Sequence, residues 1–527
     1  MRLLLVTAFL AISWSNSLIA KPWLNPGDMR LRHNLQVLSD AGYLKAPLTT
    51  WPLASEDINA QLRQAIPREI LKPAVKAALN YVNSIIKKNT NYSSISVGGQ
   101  LHSKSLLIRD FSNDGREKYL TWADGAWGNT NFDARLKVTA ARQARIQRYL
   151  FSDHNRDEGS STSEDEFAQI IDTKSNVIHP NDSPVRLDES YLSGELGNWK
   201  ITAGTQSRWW GPAWDGSFIL SNNARPIPTI SLQNIHSKAF ESKLVNWIGP
   251  NNFHMFVGLL EKDREISQPK MFGFRYNFKP KVFKDFEVGL SRTLIWGGKG
   301  TNESLSGLTT SLFGINKNKF GDRLLGDTLA QIDMRWKLPL KKSNESYALY
   351  GQYLVEDTGN SIFGGNETLQ LGAAVSGYSK ALQGSWRGYA EWVDTSSGIF
   401  AGEDRNNTTY NHDVYLDGYR HLGTSMGYSI DSDSTMISFG GILAKDNGDF
   451  WRVWSRFSEL DLSRDSDGLN PIADPDGKKW SAIGVSLDSQ FNKQTRFNLS
   501  TQLISEKPLK NQRKTSLGGS AGFKYQF

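Results

Sequence analysis

The sequence predicts an all-β transmembrane barrel of about eighteen antiparallel strands, preceded by a small N-terminal α-helical bundle. Three observations predict it. From about residue 93 onward, apolar and polar residues alternate with period 2, segment after segment. The chain opens on an export signal, yet no later stretch reaches the roughly eighteen consecutive apolar residues of a membrane helix. The last twelve residues form one amphipathic strand that ends on Phe527.

Composition narrows the class. The chain has 527 residues, enough for several ordinary domains or one very large one. Its hydrophobic fraction is 39 % and its mean hydropathy −0.46, which excludes a helical membrane protein. With 17 Trp, 17 Tyr and 25 Phe, it has the aromatic supply for the girdles of a barrel or for carbohydrate binding. The formal net charge is +7, but acidic and basic residues are interspersed and no Lys/Arg arm stands out, so no nucleic acid partner is expected. There is no Cys, hence no disulfide, thiolate metal site or Cys nucleophile.

Residues 1–20 read as a secretory signal peptide: Arg2, the apolar LLLVTAFLAISW, then SNSLIA before Lys21. Cleavage is expected after Ala20, although Leu18 suits the small-residue rule poorly and Ser17 is an alternative. The absence of Cys argues against a lipoprotein. Residues 21–92 read as a periplasmic helical bundle. Asp28 can cap a helix carrying Leu31, Leu35 and Leu38 that ends at Gly42. Ser55, followed by Glu56 and Asp57, starts a second helix with Ile58 and Leu62 on one face. Pro73 interrupts the third pattern, after which Val75, Ala78, Leu79, Val82 and Ile86 recur at helical spacing. Their apolar faces are expected to pack on each other, with docking on the barrel open.

In the barrel region, 93–527, Ala330, Ile332, Met334, Trp336 and Leu338 alternate with Gln331, Asp333, Arg335 and Lys337. Phe272, Phe274, Tyr276 and Phe278 alternate with Gly273, Arg275, Asn277 and Lys279. Trp451, Val453 and Phe457 oppose Arg452, Arg456 and Ser458. Lipid outside and polar side chains inside require this pattern. The strands fall at about 94–104, 116–126, 130–141, 185–196, 199–206, 240–248, 253–261, 271–279, 286–296, 327–338, 346–356, 367–378, 384–394, 434–443, 449–459, 480–490, 496–506 and 516–527. An even count puts both ends on the periplasmic side. Every connection there is then short (Gly197-Asn198, 249–252, 444–448), and the long ones, 142–184, 207–239, 297–326, 395–433 and 460–479, all face outward. Residues 424–431 stay in a loop, because a strand there would put a long loop on the wrong side. In the final strand Leu517, Gly519, Ala521, Phe523, Tyr525 and Phe527 share the apolar face. Phe523, Tyr525 and the terminal Phe527 resemble the signal by which barrel-insertion machinery recognises its substrates.

Three stretches carry a family resemblance: "PWLNPGDMRLRHNLQVLSDAGYLKAPLTTWPL" at 22–53, "QSRWWGPAWDGSFILSNNARPIPTISL" at 206–232 and "GYRHLGTSMGYSIDSDS" at 418–434. Through them the chain resembles the Wzi family of bacterial capsule assembly proteins over essentially its whole mature length. The resemblance implies an eighteen-strand outer-membrane barrel with a periplasmic helical bundle. It also implies a lectin-like role, holding capsular polysaccharide on the cell surface, and it brings no catalytic residues.

The candidate carbohydrate-binding residues lie in two outer loops. Trp209, Trp210 and Trp214, between Gly211-Pro212 and Asp215-Gly216, offer flat aromatic faces, and Arg208, Asp215 and Arg225 offer polar groups for hydroxyls or carboxylates. The competing reading is that the tryptophans fill the wide lumen and fix the loop as a plug. Tyr415, Tyr419 and Arg420 form a second candidate patch, the guanidinium fork suiting a uronic acid, with a structural or merely exposed placement as the competing reading. The acidic stretch 152–166 and the loop with Asp461, Asp465, Asp467, Asp474 and Asp476 are expected to be solvated, with divalent-ion binding a lesser alternative.

No GxSxG, HExxH or Walker signature is present and the eight His are scattered, so no enzyme is expected. No cofactor and no metal site are expected, and the expected partners are capsular or extracellular polysaccharide, outer-membrane lipid and the insertion machinery, with the protein a monomer. A sugar or general solute porin is the rival: it requires an open, conducting lumen.

Overall fold

The computed structural model describes residues 23–65, 71–91, 94–104, 106–112, 117–128, 131–142, 185–301, 326–340, 345–356, 366–398, 408–412, 414–462, 470–473, 477–508 and 512–527. The expected leader 1–20, the stretch 152–166 and Asp465, Asp467, Asp474 and Asp476 lie outside them.

The β-rich region closes on itself: the last strand, Lys514–Gln526, pairs antiparallel with the first, Ser94–His102. Nineteen segments make the ring, but Val185–Arg186 and Tyr191–Leu196 both pair with Phe132–Arg142, so they form one interrupted stave and the barrel has eighteen. The alternation read from the sequence is the inside-outside alternation of the wall. In Gly326–Lys337, Ile332, Met334 and Trp336 are exposed on the outer face while Gln331, Asp333 and Arg335 are buried. In Phe450–Leu460, Trp451, Val453 and Phe457 are outside while Arg452 and Arg456 are buried. An apolar outer surface over a polar interior is the requirement of a lipid-spanning barrel. No described helix is long and apolar enough to cross a membrane.

One stave lies elsewhere than expected. The sixth is Pro228–Asn234, not 240–248. It pairs on one side with Trp199–Thr205 and on the other with Asn251–Leu259. Pro228 is tolerated because it is the first residue of the strand, and Ile230 faces out while Thr229, Ser231 and Gln233 are buried. Residues 240–248 lack that strict alternation and close in a short 3-10 turn at Asn246–Ile248. The long loop therefore spans 206–227, and the connection 235–250 lies at the opposite, short-turn end, which is not uniformly short. The turn at Gly197-Asn198 is as expected, with Gly197 at φ 61°. Residues 424–431 contribute no stave: Thr424–Ser425 makes a two-residue pairing with Arg420–His421 inside the barrel.

The N-terminal region forms three helices: α1 (Met29–Asp40), α2 (Ser55–Gln64) and α3 (Pro73–Asn91). Asp28 caps α1, its carboxylate accepting from Leu31 N at 2.8 Å. Pro73 starts α3, where its missing N–H costs nothing. Leu35, Leu38, Ile58, Ala78, Val82 and Ile86 form a core between the helices. That core continues into inward-facing barrel residues, Tyr350, Tyr389, Ile442 and Phe450 among them. The polar face of α1 is buried as well. Asp40 pairs with Arg335 at 2.9 Å, and His33 hydrogen-bonds Ser385 at 2.9 Å. The helices thus sit against the polar inner wall at the short-turn end, and α1 is buried on both faces.

Candidate functional site

The loop 206–227 folds inward. Trp209–Trp210 pairs antiparallel with Thr50–Trp51 of the helical region, and Gly211 N donates to Thr49 O at 2.9 Å. Trp51 and Trp209 each meet Phe111 edge-on with ring centroids 5.1 Å apart. The Arg32 guanidinium of α1 lies 4.4 Å from both the Phe111 and Trp214 ring centroids and donates to Pro212 O at 2.8 Å. A buried cation held between aromatic faces and a carbonyl is stabilised by the rings' quadrupoles where water is excluded. Trp214 stacks on Tyr389 of the barrel wall at 5.7 Å and 19°.

A layer of charge lies beneath. Glu391 accepts from Trp214 N at 2.6 Å, Asp215 N at 3.0 Å and Tyr350 Oη at 2.7 Å. Arg456 bridges two carboxylates, reaching Asp215 at 3.0 Å and Asp110 at 2.6 Å, and Arg452 also pairs with Asp110. Burial raises the Asp110 carboxyl, but Arg452 and Arg456 outweigh it and hold the group below the usual carboxylate range. Two glycines admit the close approach. A Cβ on Gly216 would lie 2.3 Å from the Tyr428 ring, and one on Gly211 2.3 Å from Gln352 Oε1.

The described part of the loop 395–434 packs on the first from the long-loop end. Tyr410 Oη donates to Phe218 O at 2.7 Å and accepts from Tyr428 N at 3.0 Å. Ser221 N donates to Met426 O at 3.0 Å. Tyr410 and Tyr419 stack at 5.9 Å. Arg420 forms a fork with Asp431, at 2.5 and 3.0 Å. His421 meets Glu261 at 2.6 Å, and Arg264 donates to Gly418 O at 2.8 Å and Arg420 O at 2.5 Å. Burial raises the Glu261 carboxyl, but Arg264 and His421 outweigh it and lower it.

Among the described residues, these layers occupy the middle and the long-loop half of the lumen. At the helix end a polar vestibule of about 500 Å³ remains, lined by Arg30, Tyr81, Trp122, Arg496 and Lys524 and reaching Arg452 of the charged layer. On the loop side, the crevice beside Arg208, Arg225 and Met426 measures about 30 Å³, room for a water or two rather than a sugar ring.

The sequence candidates are therefore brought together as packing groups. Arg208, Trp209, Trp210, Trp214, Asp215, Tyr415, Tyr419 and Arg420 are each at most 5 % exposed and present no face to a ligand in this arrangement. Arg208 donates to Thr229 Oγ1 at 2.8 Å and lies over the Phe256 ring; Tyr415 Oη donates to Gly297 O at 3.1 Å. Arg225 alone of the nine keeps substantial contact with solvent, its side chain 23 % exposed and forked onto Asp188 at 2.9 Å. Phe523 and Phe527 lie exposed on the outer face of the closing strand, and Tyr525 meets Phe527 edge-on at 4.9 Å. Sequence reasoning did not single out Arg32, Asp110, Glu391, Arg452 or Arg456 as members of one cluster. Their signal was present only for Glu391, Arg452 and Arg456, as charges on the inner face of a strand. Among the described residues no three His, Asp or Glu side chains gather as a metal site would require.

Residues 110–443 match the family described as capsule assembly protein Wzi. A relative from Klebsiella pneumoniae, described as an uncharacterized 55.8 kDa protein in the cps region, is 26 % identical over 357 residues. That match covers 64 % of this chain and 60 % of the relative, so the chain spans less than two thirds of it. A solved structure from Escherichia coli is described as Wzi, an outer membrane protein involved in group 1 capsule assembly and a carbohydrate-binding β-barrel. It superposes with a TM-score of 0.76 at 22 % identity, over 96 % of this chain and 99 % of that one, a likeness of fold.

Proposed function

The chain belongs to the Wzi family of capsule assembly proteins, and from that premise we propose that it is a non-enzymatic outer-membrane lectin that holds exported capsular polysaccharide at the cell surface. The helix end, where the helices and the C-terminal end of the closing strand lie together, faces the periplasm, and the long loops face outward. The observation that carries the reading is the packing of the described parts of two outer loops into the lumen. A solute porin needs a continuous water path, and here the inward-folded loop 206–227 is tied to the helical region by the Trp209–Trp51 pairing and to the barrel wall by Arg456, while the described part of the loop 395–434 packs on it. A barrel closed in this way is a rigid scaffold for its outer rim, and the carbohydrate-binding description of the solved relative supports polysaccharide as the ligand.

On this reading the buried tryptophans act by holding the loops, and the sugar-facing groups lie on the outward rim, where Arg225 is the candidate from the sequence that remains reachable. The test is deletion of the gene followed by fractionation of polysaccharide between cells and medium. Loss of the protein moves capsule into the medium; unchanged retention on the cells overturns the reading. Reconstitution in planar bilayers separates the rival: the native protein shows no steady conductance, whereas a porin conducts.

A further inference from the structure

The connection 235–250, at the helix end, carries an exposed apolar group that neither the plug nor the outer rim uses. Leu244 is 85 % exposed and Trp247 55 %; in the neighbouring turn, Val282 and Phe283 are 76 % and 68 % exposed. The two turns are built together. Lys281 N donates to Trp247 O at 2.9 Å, Lys279 N donates to Pro250 O at 3.0 Å, and the Lys281 ammonium donates to Asn246. Gly249 takes φ 74°, and a Cβ there would fall 2.1 Å from Lys279 O, so the approach of the two backbones requires glycine.

This platform continues an established surface. On the adjoining staves Trp199 meets Phe253 edge-on at 6.0 Å and Tyr276 meets Phe278 at 5.7 Å. All four face outward next to the short turns, the place of an interfacial aromatic girdle. Around the platform stand Lys238, Lys243, Lys281 and Lys284, all exposed, against Glu241 and Asp285, the latter paired with Lys337 at 3.3 Å. An apolar patch in water is costly. Apolar side chains ringed by lysine at the edge of a membrane girdle match a headgroup layer, whose phosphates take the ammoniums while the acyl boundary takes the apolar groups.

We infer that residues 238–249, with the turn at 280–284, form an interfacial foot seated among anionic phospholipid headgroups of the leaflet that surrounds the helix end. The inference needs only that the barrel spans the membrane and does not rest on polysaccharide binding. The chain has no Cys, so Leu244→Cys creates a unique site for a nitroxide label in the full-length barrel. In vesicles of phosphatidylethanolamine and phosphatidylglycerol, that label is expected to be at least threefold more accessible to oxygen than to a water-soluble nickel chelate. A label introduced by Asn447→Cys, on an exposed turn at the same end, gives the opposite ratio and serves as the aqueous reference. The triple variant Lys238→Gln, Lys243→Gln, Lys284→Gln is expected to retain at least twofold less phosphatidylglycerol through detergent extraction, with its share of phosphatidylethanolamine unchanged. A label at 244 as open to nickel as that at 447 overturns the inference and makes the patch a water-facing surface for a protein. Unchanged phosphatidylglycerol retention in the triple variant overturns the headgroup assignment.

Discussion

Arg456 and Asp215 meet as a fork, Nη2 to Oδ1 at 3.0 Å and Nε to Oδ2 at 3.1 Å, across 241 residues of sequence. The pair joins a barrel strand to an outer loop, and both partners are buried. Breaking such a pair from one side leaves an uncompensated charge, at a cost of about 3–5 kcal/mol. Arg456→Met strands Asp215, whereas Asp110 keeps Arg452. Asp215→Asn leaves Arg456 its bond to Asp110. Arg456→Met is therefore expected to lower the thermal unfolding midpoint in detergent more than Asp215→Asn. Equal losses would show that the bridge does not act as described.

Gly216 tests the fit of the loop against its neighbour. Its missing Cβ leaves room for the Tyr428 ring, which would otherwise stand 2.3 Å away. Gly216→Ala is expected to destabilise the barrel by about 1–3 kcal/mol through overpacking, and Tyr428→Ala in the same chain relieves the clash. Double-mutant thermal melts check it: additive losses would mean the two sites do not touch.

Acid should loosen the plug. Folded Asp110 and Glu261 titrate below the ordinary carboxylate range, while in the unfolded chain they titrate near about 3.9 and 4.3. As pH falls, the unfolded chain takes up protons first, so their stabilisation is complete above about pH 5 and drains away below about pH 4. Melting curves between about pH 3 and 7 measure the slope. Asp110→Asn is expected to be less stable at neutral pH and flatter on the acid side, and an unchanged acid slope would count against this role.

The closing strand is proposed as the insertion signal. Phe527 is 69 % exposed on the outer face, and its backbone N–H donates to Ile95 O, completing the seam. Phe527→Ser keeps the hydrogen bond and removes the aromatic. The expected result is a lower folded fraction in cells, read as heat-modifiable mobility on gels, with refolding into detergent unaffected. A loss in both settings would point to seam stability instead of recognition.

Much of the wall was legible because lipid outside and a polar lumen inside impose period 2 on every stave, as Ile332, Met334 and Trp336 against Asp333 and Arg335 illustrate. The sixth stave was not. Pro228 opens it, and the nearby segment 240–248, where Phe240, Leu244, Val245, Trp247 and Ile248 are mixed with polar residues, resembled a strand in composition but pairs with no stave. The plug was legible as a concentration of Trp and turn residues, but its partners were not. Arg32, Phe111 and Tyr389 reach Trp214 or Trp209 from elements far apart in the chain, and no local pattern encodes such a meeting. Alternation shows that Arg456 faces inward; it does not show which carboxylate waits there.

The tryptophans of the 206–227 loop give the last prediction. Trp209 and Trp210 are at most 1 % exposed, and Trp214 is 3 % exposed, so truncation removes a large buried ring whose neighbours are fixed to the wall. Each Ala substitution is expected to cost about 3–5 kcal/mol. Trp209→Ala has a second consequence, since Trp209 pairs with Trp51 and packs on Phe111 between helix region and loop. Loosening that contact should open a water path from the vestibule beside Arg30 and Lys524 toward the long-loop end, and bilayer recordings should show intermittent conductance absent from the native protein. Polysaccharide binding by the outer rim should fall only as far as folding does. If Trp209→Ala folds with native stability, stays non-conducting and loses polysaccharide, the aromatic cluster is a sugar platform that becomes exposed in another arrangement of the loop, and its role as packing is refuted.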